Sequence, residues 1–580
     1  MRCAFTLLPL VVLVGCAQVP VRPELAQGQA PAAANPAAAP SAPASSEPQL
    51  PKLELTRQLL YQFLLAEIAS QRGEWTVASQ AYLDLAKKTR DPRIASRATE
   101  IALYARRSSE ALEAAQLWLE LDPEAERARQ TVAALLVAGG RLEEARPHLR
   151  QLLADEGDNI GQGFLQLNNL LARHSDKAAV LRLTQELAQP YPDLPEAHFA
   201  VAQAAANAGE RETALAEVRR ARALKPEWEL ALLLEAQLVR QDAPQEALAL
   251  YRDYLARYPK ARDVRLAYAR ALTAERRYGD AREQFQAVLA DHPRNPEVLV
   301  AVGLLAMQLK DYDAAAGYFG QALELNYRDK DAIRFFLGQL EEERKRYDQA
   351  AAWYLSVGKG EHQLQARVRY ASVLAKQGKV EEGRTYLRQV AQENPDQEVP
   401  LILAEAQLLR EVEAYQEAFD LLGKALQRMP ENPDLLYDQA MVAEKLDRLD
   451  VLEQNLRTLI RIKPDHAHAY NALGYTLADR NQRLDEARQL IEKALELAPD
   501  DPFILDSMGW VEYRMGRIQE GLDYLRRAYG LRPDPEIAAH LGEVLWVLGR
   551  RDEARKVWDS ALSEHPDNKV LREAVRKFVR

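Results

Sequence analysis

The sequence predicts an all-α protein built as a solenoid of stacked helical pairs. Prolines recur at Pro499, Pro533 and Pro566, which lie 34 and then 33 residues apart. The same order of large and small residues returns between them, and strand-like alternation is hard to find after residue 52. A repeat of this length is one supersecondary unit, and such units bury a core only by stacking on one another.

Each repeat contains a large residue followed by a small one, and then a second small residue about thirteen positions later. These are Leu473-Gly474 before Ala487, Met508-Gly509 before Gly521, and Leu541-Gly542 before Ala554. Two helices can cross closely only where side chains are small, so we expect the first glycines to meet the second small residues. The closing proline ends the second helix. The pattern resembles the tetratricopeptide repeat (TPR), whose pairs stack into a right-handed superhelix.

The same period can be followed back through most of the chain. Residues 53–566 accommodate about fifteen helical pairs, of which about ten or eleven match the TPR pattern well. The match is weak around 158–192 and 328–361, where a different fold could lie. Residues 567–580 carry apolar side chains at helical spacing and are predicted to form a closing cap helix.

Composition and motifs favour a binding protein over an enzyme. The 76 basic and 86 acidic residues are well mixed, and this argues against a dedicated nucleic-acid surface. The sequence has no phosphate-binding loop and no zinc-protease or nucleophile-elbow motif. Since nearly every residue after 53 belongs to a repeat, we expect no catalytic domain, no cofactor and no metal site.

The amino terminus is predicted to direct the chain to a membrane. Residues 1–15 contain Arg2 and then an apolar run, which is typical of a signal peptide. They end before Cys16 in the order Leu-Val-Gly-Cys, which resembles the lipobox of bacterial lipoproteins. That resemblance implies cleavage before Cys16 and its lipidation, and Ala17 in place of Asp implies the outer membrane, facing the periplasm. The alternative is an ordinary signal peptide with an incidental cysteine.

Residues 16–52 are predicted to be the lipidated cysteine and a disordered tether. They are rich in Pro, Ala, Gln and Ser and have few large apolar groups with which to form a core. Such a tether lets the folded repeats search the space around their anchor.

One candidate binding surface is the concave wall of the last three repeats. TPR proteins bind extended segments there, mainly through the first helix of each pair. Carried over by position, the resemblance implies Asn471, Tyr475, Asp506, Trp510, Tyr513, Glu543 and Trp546 as groove residues. Aromatic and hydrogen-bonding groups together suit a protein-binding groove. The alternative is that Trp510 and Trp546 only pack between helices or under the cap.

A second candidate is the first helix, from about residue 56 to residue 71. The repeat register turns Leu65, Ala66 and Ala69 toward the partner helix. A helical wheel then places an apolar set on the other side, namely Leu60, Tyr61, Leu64 and Ile68. A terminal solenoid helix should have a polar outer side, so this one is expected to be covered. A partner protein, a second copy or the chain's own segment around 50–55 could cover it.

The whole chain resembles bacterial TPR lipoproteins that serve as adaptors, in particular the lipoprotein partner of a carboxyl-terminal processing (tail-specific) protease. The most characteristic stretches are Met508 to Tyr513 and Ala538 to Leu545. The resemblance implies a non-catalytic outer-membrane scaffold that binds the periplasmic protease and its substrates, often peptidoglycan endopeptidases, and promotes their proteolysis. The alternative is a TPR assembly factor for an outer-membrane or cell-surface complex.

Overall fold

The computed structural model describes residues 51–579 of the chain, and all regular secondary structure in that range is helical. The signal peptide, Cys16 and nearly all of the tether lie outside the described residues, so their assignments stay predictions. Within the described range the helices follow one another as fifteen consecutive pairs and one final helix. The all-α solenoid fold is therefore confirmed.

The first helices of the pairs are α1 (Arg57–Gln71), α3 (Pro92–Tyr104), α5 (Glu126–Ala138), α7 (Ile160–Leu171), α9 (Pro195–Ala208), α11 (Glu229–Arg240), α13 (Arg262–Ala274), α15 (Pro296–Gln308), α17 (Lys330–Glu343), α19 (Gln363–Lys376), α21 (Glu398–Glu411), α23 (Pro433–Lys445), α25 (Ala467–Asp479), α27 (Pro502–Arg514) and α29 (Pro535–Val547).

The second helices are α2 (Trp75–Thr89), α4 (Ser108–Leu121), α6 (Leu142–Asp155), α8 (Lys177–Ala188), α10 (Arg211–Leu224), α12 (Pro244–Arg257), α14 (Tyr278–Asp291), α16 (Tyr312–Glu324), α18 (Tyr347–Leu355), α20 (Val380–Glu393), α22 (Tyr415–Arg428), α24 (Leu449–Ile462), α26 (Leu484–Leu497), α28 (Ile518–Leu531) and α30 (Arg551–Glu564), and the chain closes with α31 (Lys569–Phe578).

Two stretches with a weak repeat pattern are helical pairs like the others. Residues 158–192 contain α7 and α8, and residues 328–361 contain α17 and the short α18. In the first stretch, Asn168 stands where good repeats carry a small residue. Its side-chain amide donates a hydrogen bond to Gln203 Oε1 of α9 at 2.8 Å, so a polar contact joins neighbouring first helices there.

The helices divide into two compact units, Met1–Ala214 and Leu215–Arg580. In the second unit, helices of each pair approach closely where the sequence places glycine. A Cβ added at Gly509 would lie 2.6 Å from Leu525 Cγ and 2.9 Å from the Gly521 carbonyl oxygen. A Cβ added at Gly542 would meet the Trp558 ring and not Ala554, because the indole fills the space between α29 and α30.

Buried carboxylates paired with arginines join successive helical pairs in the second unit. Glu405 of α21 is buried and accepts hydrogen bonds from Arg384 Nε at 3.0 Å and Arg388 Nε at 3.1 Å, both on the preceding second helix. Arg384 also donates a hydrogen bond to Glu417 of α22 at 2.7 Å, so its guanidinium links α20, α21 and α22. Glu235 is held in the same way by Arg219 and Arg222. These contacts specify how one repeat sits on the next.

We expect the substitution Gly509→Ala to lower the free energy of unfolding by about 1–3 kcal/mol, since its methyl group would overlap a backbone oxygen that cannot move aside. The midpoint of urea unfolding measures this. Gly530→Ala in α28 is the control, because a Cβ there meets nothing within 4 Å and alanine favours the helix. Equal effects of the two substitutions would contradict this account of the close crossing.

Candidate functional site

The first candidate surface is the outer side of α1. The Thr56 hydroxyl accepts a hydrogen bond from the Leu59 N–H at 3.2 Å and so begins the helix as its N-cap. Ala66 and Ala69 are buried, and Glu67 contacts the Tyr82 hydroxyl of α2. Burial, together with this contact, raises the pKa of Tyr82 to about 12. Helix α1 is therefore attached to α2 through one side only.

The other side of α1 is apolar and exposed. The four side chains of the proposed docking face keep between 44% and 67% of their surface accessible, and they are Leu60, Tyr61, Leu64 and Ile68. Phe63 on the same helix is also exposed. The sequence register directed Leu65 toward α2, but its side chain is 38% exposed, so α2 does not bury it. The small side chains Ala66 and Ala69 make the close approach, and Leu65 lies at its edge.

The segment before α1 does not cover this face. Leu53 and Leu55 are themselves exposed, at 54% and 74% of their surface. The sequence allowed three possible covers for this face: a partner protein, a second copy or the chain's own preceding segment. Residues 51–55 are therefore excluded as the cover. Sequence reasoning also missed a neighbouring aromatic pair, the half-buried Trp75 and the exposed Tyr104, whose rings lie 4.6 Å apart.

The second candidate surface lies on the first helices of the last repeats. Here the structure gathers side chains around His540 of α29, which the sequence reasoning did not select. Its Nδ1 lies 2.9 Å from Asp506 Oδ2, and its ring stacks on Trp510 with centroids 4.2 Å apart. Its Nε2 lies 3.5 Å from the Tyr475 hydroxyl. Three first helices, α25, α27 and α29, therefore meet at one imidazole.

This contact shows which way the last repeats curve. Tyr475 and His540 belong to α25 and α29, which are separated along the array by α27. The first helices α25, α27 and α29 also touch one another in order, and α29 touches the cap helix α31. A side chain can reach across an intervening helix only if the layer of first helices bends inward, so this stretch curves toward its first helices.

The cluster continues from Trp510 to the cap helix. The rings of Trp510 and Tyr513 lie 5.2 Å apart, and the Tyr513 hydroxyl donates to Glu543 Oε1 at 3.3 Å. Lys577 of α31 donates to the same oxygen at 3.0 Å. Burial and the nearby Glu543 charge raise the pKa of Tyr513. We call Tyr475, Asp506, Trp510, Tyr513, His540 and Glu543 the first-helix cluster.

Three of the proposed groove residues pack between helices or under the cap helix. Trp546 packs against Trp558 at 5.8 Å and Phe578 of the cap helix at 6.3 Å. It therefore supports the cap, as the alternative interpretation had it. Asn471 is buried, and its Oδ1 has no hydrogen-bond partner among the described residues. Trp510 is also buried, so its indole packs between helices while its Nε1 is left without a partner.

The charge on His540 is set by its neighbours. Burial disfavours the imidazolium, but the charge and hydrogen bond of Asp506, with Asp479 and Glu536, outweigh it and raise the pKa of His540 above its ordinary value. A raised pKa in the folded state means that protonation stabilises the fold. That contribution is complete below the unfolded value of about 6.5 and is lost as the pH rises through the folded value.

Raising the pH through this range should lower the urea midpoint of the carboxyl-terminal unit, and His540→Gln should remove that part of the pH dependence. The substitution deletes the titrating group but keeps a hydrogen-bonding side chain. Tryptophan fluorescence follows the unfolding, because Trp510 stacks on the imidazole. The exposed His565 supplies the matched control, His565→Gln. An unchanged pH profile in His540→Gln would refute the assigned titration.

The described residues hold no group of three or more His, Cys, Asp or Glu arranged to bind a metal ion. Between residues 51 and 579, each helix is too short or too polar to cross a lipid bilayer.

Comparison with known proteins agrees with the repeat architecture. Models of the tetratricopeptide repeat match residues 238–305, 300–363, 365–396, 451–502 and 507–569. These repeats typically form non-catalytic scaffolds, and no catalytic family is indicated. The TPR repeat-containing protein PA4667 of Pseudomonas aeruginosa is 35% identical over 484 residues, which are 83% of this chain and 82% of that protein.

More distant similarities are partial or cover the fold alone. The human protein O-mannosyl-transferase TMTC1 is 24% identical over 38% of this chain, and the match spans a quarter of that protein. The crystal structure of TTC0263, a TPR protein of Thermus thermophilus, shares 25% identity over 31% of this chain and 97% of its own, with a TM-score of 0.29. The Cut9–Hcn1 structure shares 14% identity over 90% of this chain and 97% of its own, with a TM-score of 0.33.

Proposed function

The chain belongs to the tetratricopeptide repeat proteins, and we propose that it is a non-catalytic scaffold held at the outer membrane and facing the periplasm. In this proposal Cys16 carries the lipid anchor and residues 16–52 form the tether. The repeats bind a periplasmic carboxyl-terminal processing protease together with its substrates, which include peptidoglycan endopeptidases. The resemblance to TPR lipoprotein adaptors supplies the identity of these partners.

The exposed apolar face of α1 is the observation that carries the docking part of the proposal. Repeat arrays need a polar outer side on their terminal helices to stay soluble. Helix α1 instead exposes Leu60, Tyr61, Leu64 and Ile68 side by side. Fully burying one such side chain contributes roughly 1.5–3 kcal/mol, so a partner that covered all four would gain a substantial part of its binding energy here. We assign this face to the protease.

A scaffold of this kind acts by raising local concentration. A protease bound at α1 and a substrate bound on the first helices would share one chain, which makes their encounter an intramolecular event. Two acyl chains on Cys16 would keep both near the membrane, because each buried methylene contributes roughly 0.8 kcal/mol. The chain itself would supply no catalytic group.

Replacing Leu60 and Leu64 together by Asp should abolish recovery of the protease when the full chain, in detergent, is used to capture partners from a periplasmic extract. Loss of at least about 100-fold in affinity is expected, since central apolar contacts of an interface cost about 2 kcal/mol or more each when removed. Quantitative mass spectrometry of the captured proteins measures the change.

Leu230→Asp is the matched control, because Leu230 of α11 is 51% exposed and lies far along the chain from α1. Equal recovery by the double variant, with its circular dichroism unchanged, would remove α1 as the docking face. If the unaltered chain recovers no protease, the adaptor proposal fails in this form. Recovery of an outer-membrane or surface assembly instead would favour the assembly-factor alternative.

A further inference from the structure

Two positions on α1 that are exposed correspond to buried positions in the later first helices. They lie five residues before and two residues after Ala66, the small residue that corresponds to Gly509 of α27 and Gly542 of α29. On α1 they are Tyr61 and Ile68, which are 67% and 47% exposed. In every first helix from α13 to α29, both corresponding residues are no more than 7% exposed. Examples are Ile333 and Leu340, Ile504 and Val511, and Ile537 and Val544.

The preceding second helix covers these positions inside the array. Helix α26 packs against α27, and Ile504 and Val511 share one apolar cluster with Ile491 and Ala494 of α26. The covering face thus presents a large apolar residue followed three positions later by a small one. The same spacing returns in other second helices, as Phe319 and Ala322, Leu422 and Ala425, and Leu525 and Ala528.

The outer side of α1 has the form of a helix-packing surface. Leu60, Leu64 and Ile68 follow one another at intervals of four residues, and such a row makes a ridge that fits the groove of a second helix. Helix α1 carries only two charged side chains, and one of them, Glu67, contacts α2. A helix that covers this side therefore needs an apolar face and no counter-ion.

The chain itself does not supply that helix. Residues 16–50 contain a proline in every stretch of eight residues, and proline interrupts a helix because it removes a backbone donor. The carboxyl end of a second copy does not extend the array either, since α31 already packs against α29 and α30 there. A different protein is the remaining source of a covering helix, apart from the α1 face of a second copy.

We propose that the partner places an α-helix against α1, in the position that a preceding second helix takes elsewhere in the array. The face of that helix carries a large apolar residue followed three positions later by a small one, and it buries Tyr61 and Ile68. The proposal rests on the proposed function, in which this helix belongs to the bound protease, and it specifies the element with which the protease docks.

The test supplies the full chain with the missing helical pair. A copy of residues 467–501, which contain α25, α26 and the turn that leads to α27, replaces residues 51–58. The copy then precedes Ala66 by the spacing at which the original precedes Gly509. Its α26 is expected to cover α1 as it covers α27.

The matched control carries the same copy with Ile491→Asp and Ala494→Asp in it, so that carboxylates stand where the apolar contact would form. Hydrogen–deuterium exchange in detergent compares the α1 amides of the two variants. We expect exchange to slow at least about tenfold with the unaltered copy, the factor that burial of one large apolar side chain supplies. The control should leave the exchange of α1 unchanged.

Recovery of the protease from periplasmic extract should also fall at least about tenfold in the first variant but not in the control, because only the unaltered copy occupies the place of the partner's helix. Unchanged exchange of α1 in the first variant would overturn the proposal. Equal recovery of the protease by the two variants would overturn it as well.

Failure of the proposed function gives a different result. If the copy protects α1 but the original chain recovers no protease, the helix-binding site stands and the protease assignment fails. If the original chain and both variants recover the protease equally, the scaffold stands and its partner does not take the place of a preceding helix. Light scattering tests the last occupant: a dimer that becomes a monomer only in the first variant would show that a second copy covers α1, against the proposal.

Discussion

A helical pair of this size cannot bury its apolar face alone, and for that reason the pair at each end of the array needs something to cover it. Each internal pair is covered by a neighbour on either side. At the carboxyl end the cap helix α31 meets the need, with Phe578 packed against Trp546 and Trp558 and with Leu571 buried. At the amino end, no described residue covers the apolar face of α1. The contrast between a closed end and an open end is the main reason to place a docking site at α1.

Charged groups buried between the pairs add a second constraint, which is specificity of stacking. Apolar surfaces alone allow small rotations of one repeat on another, whereas the Glu405 carboxylate is satisfied only when Arg384 and Arg388 both reach it. Such buried pairs contribute little net stability but leave an unpaired charge in any other arrangement. His540 has a comparable part in the last repeats, where it joins Asp506, Trp510 and Tyr475.

The sequence was sufficient for the fold because its period states which residues are equivalent in successive pairs. It placed Tyr475, Asp506, Trp510, Tyr513 and Glu543 on one surface for the same reason. It could not identify His540, because contact across an intervening helix depends on how far each repeat is rotated relative to the preceding one. The spacing of residues along the sequence does not encode that angle. The exposure of Leu65 has a related origin, because a helical wheel gives a direction but not the depth to which α1 sinks onto α2.

Hydrogen–deuterium exchange of the full chain, with and without the captured protease, tests the central claim most directly. The account predicts that backbone amides of Arg57–Gln71 become more protected when the protease binds, because α1 then gains a cover, while amides of the cap helix α31 keep their exchange rates. Protection that appears elsewhere and leaves α1 unchanged would contradict the claim that the open end of the solenoid is the docking site.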